Sequence, residues 1–297
     1  MEDNRTDEKD VIYLENVNEG LWLDFDEDAI MKEFFWYLDH QHGKPSLVCS
    51  RNKIVKYFQQ ELFFKKEREL WEDPEIRTRL VENRCRYLFK TPQELTTYDL
   101  LSGFKKSAIW YGYGGFNPQL CKWFYDRVDE RYGVPRKDII CYDPCGGWGH
   151  RMIGSTEIKK YIYNDIGEGV ARGVRNIKDF FDFWNAEVHC GDAREWVPDE
   201  DFNVMFTCPP YYNLEVYECG EFKSREEYDH LIDSLFEVFG NKESCRVFGM
   251  VIREDMLQER WKGLADERIG LVGYASRHLV GSVDHKKKEY LYIWQKK

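Results

Sequence analysis

Apolar residues recur at spacings of three and four through residues 28–40 and 51–71, the period of one helix face, and predict helices there. Asp73-Pro74 predicts the start of another, because an aspartate can cap free amides and the fixed φ of proline suits a first turn. From Ile139 the pattern changes to short apolar runs separated by helical stretches. The runs at 138–142, 161–164, 186–190, 202–207, 246–252, 270–276 and 290–295 predict seven strands, with helices at 170–184 and 224–239. The second of these helices opens on Ser224-x-x-Glu227, a capping box. Its stripe of Tyr228, Leu231, Ile232, Leu235 and Phe239 reads as core. Strands alternating with helices predict an α/β fold whose mostly parallel sheet is covered by helices. The expected organisation is a helical accessory region over 1–95 and a sheet domain over 96–297, with no internal repeat.

Composition narrows the classes. The chain has 297 residues, 42% hydrophobic and 16% aromatic, enough for one large core and a smaller appendage. No apolar run approaches the roughly 20 residues of a membrane helix, and the acidic first ten residues are unlike a signal peptide, so a cytoplasmic protein without a membrane partner is expected. Nine cysteines occur without a CxxC pair, which points to reduced thiols and to neither a disulfide framework nor a metal site. The net charge of −11 means that any contact with nucleic acid must be local. Basic clusters lie at 51–56, 65–68, 105–106 and 286–288, each also readable as a solvated face.

The first candidate chemistry is Asp143-Pro144-Cys145-Gly146-Gly147-Trp148-Gly149-His150, between an expected strand and a helical stretch. Glycines let a backbone turn tightly and approach a ligand. The next strand ends at Asn164-Asp165, where a carboxylate can hold both hydroxyls of a ribose. Asp192 follows the third strand and could accept from an adenine amino group. G-x-G-x-x-G is absent, and Asp143 beside the turn would repel a pyrophosphate but suit an ammonium and a sulfonium, which disfavours NAD. His150 and Arg151 read as helix-capping or solvent-facing, and His189, His278 and His285 as structural.

The fourth strand runs into Thr207-Cys208-Pro209-Pro210-Tyr211-Tyr212. Here the sequence resembles the DNA amino-methyltransferases, which act on adenine N6 or cytosine N4 and carry Asp, Asn or Ser before Pro-Pro and an aromatic residue. The resemblance spans residues 112–297 and includes Phe116-Asn117-Pro118 and the closing 288–296 segment. It implies a Rossmann-like, seven-stranded methyltransferase sheet with helices on both faces and S-adenosyl-L-methionine as cofactor. The cofactor would lie against Phe116, Asn117, Asp143, Cys145, Gly146, Gly147, Gly149, Asp165 and Asp192. Cys208, Pro209, Pro210 and Tyr211 would be catalytic: two prolines aim hydrogen-bond acceptors at an exocyclic amine, and Tyr211 stacks on the flipped base. The expected partner is nucleic acid, DNA ahead of RNA, in a restriction-modification or phage setting.

Cys208 departs from the pattern, since a thiol is a weak hydrogen-bonding group. Three readings stay open: Thr207 or a neighbour compensates, the site has shifted toward a serine-like cytosine type, or the chain is a cofactor-binding subunit with little activity. A fourth, Cys208 as a covalent nucleophile, fits the thiol but not the adjoining Pro-Pro-Tyr. Asn213, Glu215 and Tyr217 continue the loop as a candidate wall over the substrate.

Overall fold

The computed structural model describes residues 23, 26–40, 43–47, 52–107, 115–212, 222–271 and 289–296. The expected loop positions 213, 215 and 217, the basic cluster at 286–288, His278 and His285 lie outside them.

The helices are α1 (Glu27–Asp39), α2 (Lys53–Phe63), α3 (Lys65–Trp71), α4 (Pro74–Leu88), α5 (Thr97–Lys106), α6 (Pro118–Tyr132), α7 (His150–Ile153), α8 (Glu168–Phe180), α9 (Arg225–Asn241) and α10 (Glu259–Gly263). The strands are β1 (Ile140–Asp143), β2 (Lys160–Asp165), β3 (Ala186–Cys190), β4 (Val204–Thr207), β5 (Val247–Arg253), β6 (Glu267–Gly270) and β7 (Glu289–Gln295). Residues 51–71, expected as one helix, form two, and Gln59 inside α2 is non-helical (φ −133°, ψ 17°). A sixth strand runs over Glu267–Gly270, and 272–276 of the run expected at 270–276 lie outside the described residues. The fourth begins at Val204, and the side chain of Asn203 before it accepts from the Ile140 amide at 2.9 Å and donates to the Asp138 carbonyl at 2.8 Å.

All seven strands join one sheet in the order β3-β2-β1-β4-β5-β7-β6. The pairs β1–β2, β1–β4, β2–β3 and β4–β5 are parallel, and β7 runs antiparallel between β5 and β6. Side chains alternate across a strand, so neighbours on β4 point to opposite faces. Phe206 stacks on Phe124 of α6 at 4.1 Å, whereas Met205 joins the cluster built on Tyr228, Leu231, Ile232 and Leu235 of α9. Helices therefore cover both faces. On β5 a Cβ at Gly249 would overlap the Phe124 ring, so this glycine brings α6 close to the sheet.

The chain separates into two compact units, which differ from the boundary expected at 95/96. The larger includes 28–58 as well as the sheet. Phe34 of α1 packs on Phe181 and Phe183 (4.5 and 5.5 Å), and Lys122 Nζ donates to the Leu38 carbonyl at 3.2 Å. The smaller unit contains α3, α4 and α5. Asp73 caps α4 by accepting from the Glu75 and Ile76 amides, as its sequence predicts. Arg84, 1% exposed, lies between α4 and α5 with its Nε donating to the Asp99 carbonyl at 3.0 Å, and Leu80, Leu100 and Phe104 fill the contact.

Candidate active site

Strand order reverses between β1 and β4, and the crevice beyond the carboxyl ends of such strands is where an open α/β sheet binds ligands. The structure places the glycine turn and the Cys208–Tyr211 loop at this point, one after β1 and the other after β4.

A buried carboxylate joins them. Asp143 ends β1 with no exposed surface. Its Oδ2 accepts from Arg151 Nε at 2.6 Å and from the Tyr161 hydroxyl, and its Oδ1 from Arg151 Nη2 at 3.3 Å and from Thr207 Oγ1 at 2.8 Å. Thr207 in turn accepts the Cys145 amide at 3.2 Å. Arg151 also donates to the Cys145 carbonyl, and the Phe116 ring lies 5.0 Å from its guanidinium. The two residues read from sequence as capping or solvent-facing are therefore buried, His150 at 3% and Arg151 at 4% exposed. The Asp143 carboxylate beside it holds the Arg151 guanidinium well above its ordinary pKa, against the cost of burial. His150 meets Asn52 of the same unit, and burial, together with the nearby cations Arg151 and Lys56, pushes its pKa down to about 3.

The turn itself is shaped by tyrosine packing. A Cβ at Gly146 would overlap the Tyr163 ring, whose hydroxyl donates to the Gly147 carbonyl at 2.7 Å. Gly147 and Gly149 take φ of +56° and +88°, which other residues rarely adopt. Beside Gly147 there is open space, since an added Cβ would meet nothing within 4 Å.

Asp165, ending β2, accepts the Gly147 amide at 2.8 Å and the Gly167 amide at 3.0 Å. Burial pushes its carboxyl above the usual range, against the pull of these two amides. Next to it Ile166 is 46% exposed, an apolar surface on the site rim that sequence reading passed over. Asp192 is engaged by Arg194, whose Nε lies 2.9 and 3.0 Å from its two oxygens, and this pairing holds its carboxyl below the usual range. Asn117 caps α6 by accepting the Gln119 amide at 3.1 Å, and donates to the Ser46 carbonyl at 3.1 Å.

In the loop after β4 Pro209 is buried and Cys208, Pro210 and Tyr211 are half-buried. The Cys208 thiol points to the Tyr211 hydroxyl at 3.9 Å, and that hydroxyl donates to Glu289 Oε1 of β7 at 2.7 Å. Thr207, one candidate to compensate for Cys208, is fully buried and committed to the turn. Sequence reading missed Arg151, Tyr161 and Tyr163 as parts of the site. The one signal available was tyrosines alternating with Ile162 in a strand expected to be covered on both faces.

No protein-family model and no curated protein matches the chain. Solved structures match it over about 60% of its length. A human methyltransferase 10 domain containing protein is 9% identical, with a TM-score of 0.41 over 59% of this chain and 82% of that one. A dimethyladenosine transferase from Plasmodium falciparum is 15% identical, with a TM-score of 0.39 over 59% and 62%. An S-adenosylmethionine-dependent methyltransferase from Agrobacterium tumefaciens is 11% identical, with a TM-score of 0.44 over 64% and 65%. At these values the likeness is one of chain path alone.

Proposed function

We propose that this chain is an S-adenosyl-L-methionine-dependent methyltransferase acting on an exocyclic amino group of a nucleic-acid base. The observation that carries the reading is the Thr207 hydroxyl, which ties the glycine turn to the start of the Cys208-Pro209-Pro210-Tyr211 loop at the strand-order reversal. A ligand-binding turn and an amine-orienting loop thereby share one rigid base.

The residues present fit the cofactor. Open space beside Gly147 allows a ligand to approach the backbone, and Asp165 keeps lone pairs for a ribose diol while its amide bonds fix its rotamer. Ile166 offers an apolar face for the adenine, and Asp192, with Arg194 against it, lies at the next strand end. Cys145, Gly146 and Gly149 shape the turn. In the structure Asp143 holds the turn to Arg151 and Thr207, and we assign it that role in place of meeting the ligand ammonium. Phe116 and Asn117 support the same wall through Arg151 and the cap of α6.

When bound, the cofactor would supply an electrophilic methyl group on a sulfonium, whose neutral thioether is the leaving group for an attacking amine. The chain's own task is to prepare that nitrogen. Its lone pair is delocalised into the ring, so acceptors on its hydrogens favour a more tetrahedral geometry. The Pro209 carbonyl is such an acceptor, fixed by two locked φ angles. Cys208, whose thiol lies 3.9 Å from the Tyr211 hydroxyl, is a weaker acceptor than a carboxylate. Tyr211, held by Glu289, presents its ring for stacking on a flipped base, and the amine proton departs to solvent.

The test is incubation of the protein with isotopically labelled cofactor and with DNA or RNA, followed by nucleoside mass spectrometry, beside Tyr211→Ala and Asp165→Ala. Label in adenine or cytosine of DNA, lost in both variants, supports the DNA reading taken first from the sequence; label confined to RNA moves the substrate to RNA. Cofactor binding with no label in either polymer would overturn the enzymatic reading and leave a cofactor-binding subunit.

A further inference from the structure

The smaller unit presents a surface that the proposed chemistry does not use. Residues 77–107 carry seven Lys or Arg against three Asp or Glu, in a chain whose net charge is −11. Helix positions three, four, seven and eight apart share a face. On α4 this places Arg79, Asn83, Arg86 and Tyr87 in one exposed stripe, with Glu82 as its one acidic residue. On α5, Tyr98 and Lys106 are eight apart and likewise exposed. The two helices meet here: Lys106 Nζ lies 5.4 Å from the Tyr87 ring, and Arg79 Nη2 donates to the Ser107 carbonyl at 3.4 Å.

Three large aromatic rings face solvent within this stretch. Tyr87 is 64%, Phe89 96% and Tyr98 63% exposed. Burying such rings would stabilise the fold, and three within twelve residues are more than a single scattered exposure. Phe89 is the more unusual because it ends α4 in the left-handed region, φ 55°, a position that favours glycine or asparagine. Here a strained cap holds a bulky apolar ring outward.

We infer that this α4–α5 face is a binding surface for single-stranded nucleic acid, with Tyr87, Phe89 and Tyr98 as stacking platforms and Arg79, Arg86 and Lys106 against the phosphates. Every base has a π-face and every linkage a negative charge, so rings interleaved with cations hold a strand without reading its sequence. An acidic peptide would use the cations without needing three rings, and a membrane surface, which rings and cations can also meet, is separated by the vesicle arm of the experiment below. The inference rests on nucleic acid being the substrate and names how this chain, acidic overall, retains it.

The experiment measures fluorescence anisotropy of labelled single strands of about 20 nucleotides, DNA and RNA, with the full chain at several salt concentrations. It compares wild type with Tyr87→Ser/Phe89→Ser/Tyr98→Ser and with Arg86→Glu/Lys106→Glu. All five positions are exposed, and thermal melts establish that the variants fold. The aromatic variant should lose at least tenfold in affinity at unchanged salt dependence. The charge variant should lose affinity and reduce the slope of log affinity against log salt by about 1 to 2. Wild-type affinity in both folded variants overturns the inference, as does equal loss of binding to anionic vesicles or a polyglutamate peptide. Strand binding lost in the variants while wild type transfers no methyl group sinks the proposed activity and leaves this surface standing; methyl transfer with unchanged oligonucleotide KM in the variants does the reverse.

Discussion

The Thr207 hydroxyl joins the carboxyl ends of the neighbouring strands β4 and β1, donating to Asp143 Oδ1 at 2.8 Å and accepting the Cys145 amide at 3.2 Å. Valine has the same shape without either bond. Thr207→Val should therefore cost about 1–3 kcal/mol, the penalty for leaving buried polar groups unpaired, and should weaken cofactor binding as the turn loosens. Urea denaturation and calorimetric titration with the cofactor measure the two effects. Unchanged stability would show that the turn does not depend on this link.

Asp143 and Arg151 form a buried ion pair, 0% and 5% exposed at their side chains. Removing one partner strands the other charge, so Asp143→Asn should lose about 3–5 kcal/mol. The double variant with Arg151→Met should recover part of that loss, because neither charge remains. A double-mutant cycle by chemical denaturation decides it, and strict additivity would refute the coupling.

Adjacent glycines should fail in different ways. Gly146→Ala drives a methyl group into the Tyr163 ring and should destabilise the fold by more than about 2 kcal/mol. Gly147→Ala meets open space but holds φ at +56°, a strain of about 1 kcal/mol. Its methyl group occupies the side from which the ligand would approach, so cofactor affinity should fall at least tenfold in a protein that still melts cooperatively. Equal cofactor affinity for Gly147→Ala and wild type would place the ligand elsewhere.

His150 has a pKa of about 3 in the fold against 6.5 for an ordinary histidine. Between those values the unfolded chain takes up a proton that the folded chain refuses. Stability from this residue is thus complete above about pH 6.5 and declines as pH falls toward 3, by on the order of 1 kcal/mol per unit. Asp165 acts in the opposite sense, since its raised pKa lets the folded chain bind a proton first as pH falls. Stability measured from pH 7.5 to 5 should show a flatter slope in His150→Gln than in wild type. Parallel slopes would mean that His150 is charged in the fold.

Cys208 hydrogen-bonds weakly to Tyr211, so a better acceptor at this position should change the rate. Cys208→Asp should raise kcat several-fold if the thiol limits amine activation, and should lower it if the site is fitted to a thiol. Single-turnover methyl transfer distinguishes these, and a rate within twofold of wild type would show that position 208 does not orient the amine.

Much of this arrangement is written in local patterns. Apolar period and capping residues suffice for β3 at 186–190, for Asp73 at the head of α4 and for Ser224 at the head of α9, because a strand or helix start is set by side chains a few positions apart. The strand-ending carboxylates Asp143 and Asp165, with Asp192 two residues beyond β3, and the position of the Pro209-Pro210 loop after β4 are legible for the same reason. Sequence spacing cannot say what a carboxylate faces once the sheet is assembled. Only the tertiary structure brings Thr207 across 64 residues to Asp143, and turns Arg151 inward where an isolated turn would leave it in water. It also gathers residues 28–58 onto the sheet unit, through pairs such as Phe34 with Phe181 that no local period records. Burial makes the difference: a polar group withdrawn from water must find partners wherever the fold supplies them, and those partners are distant in the chain.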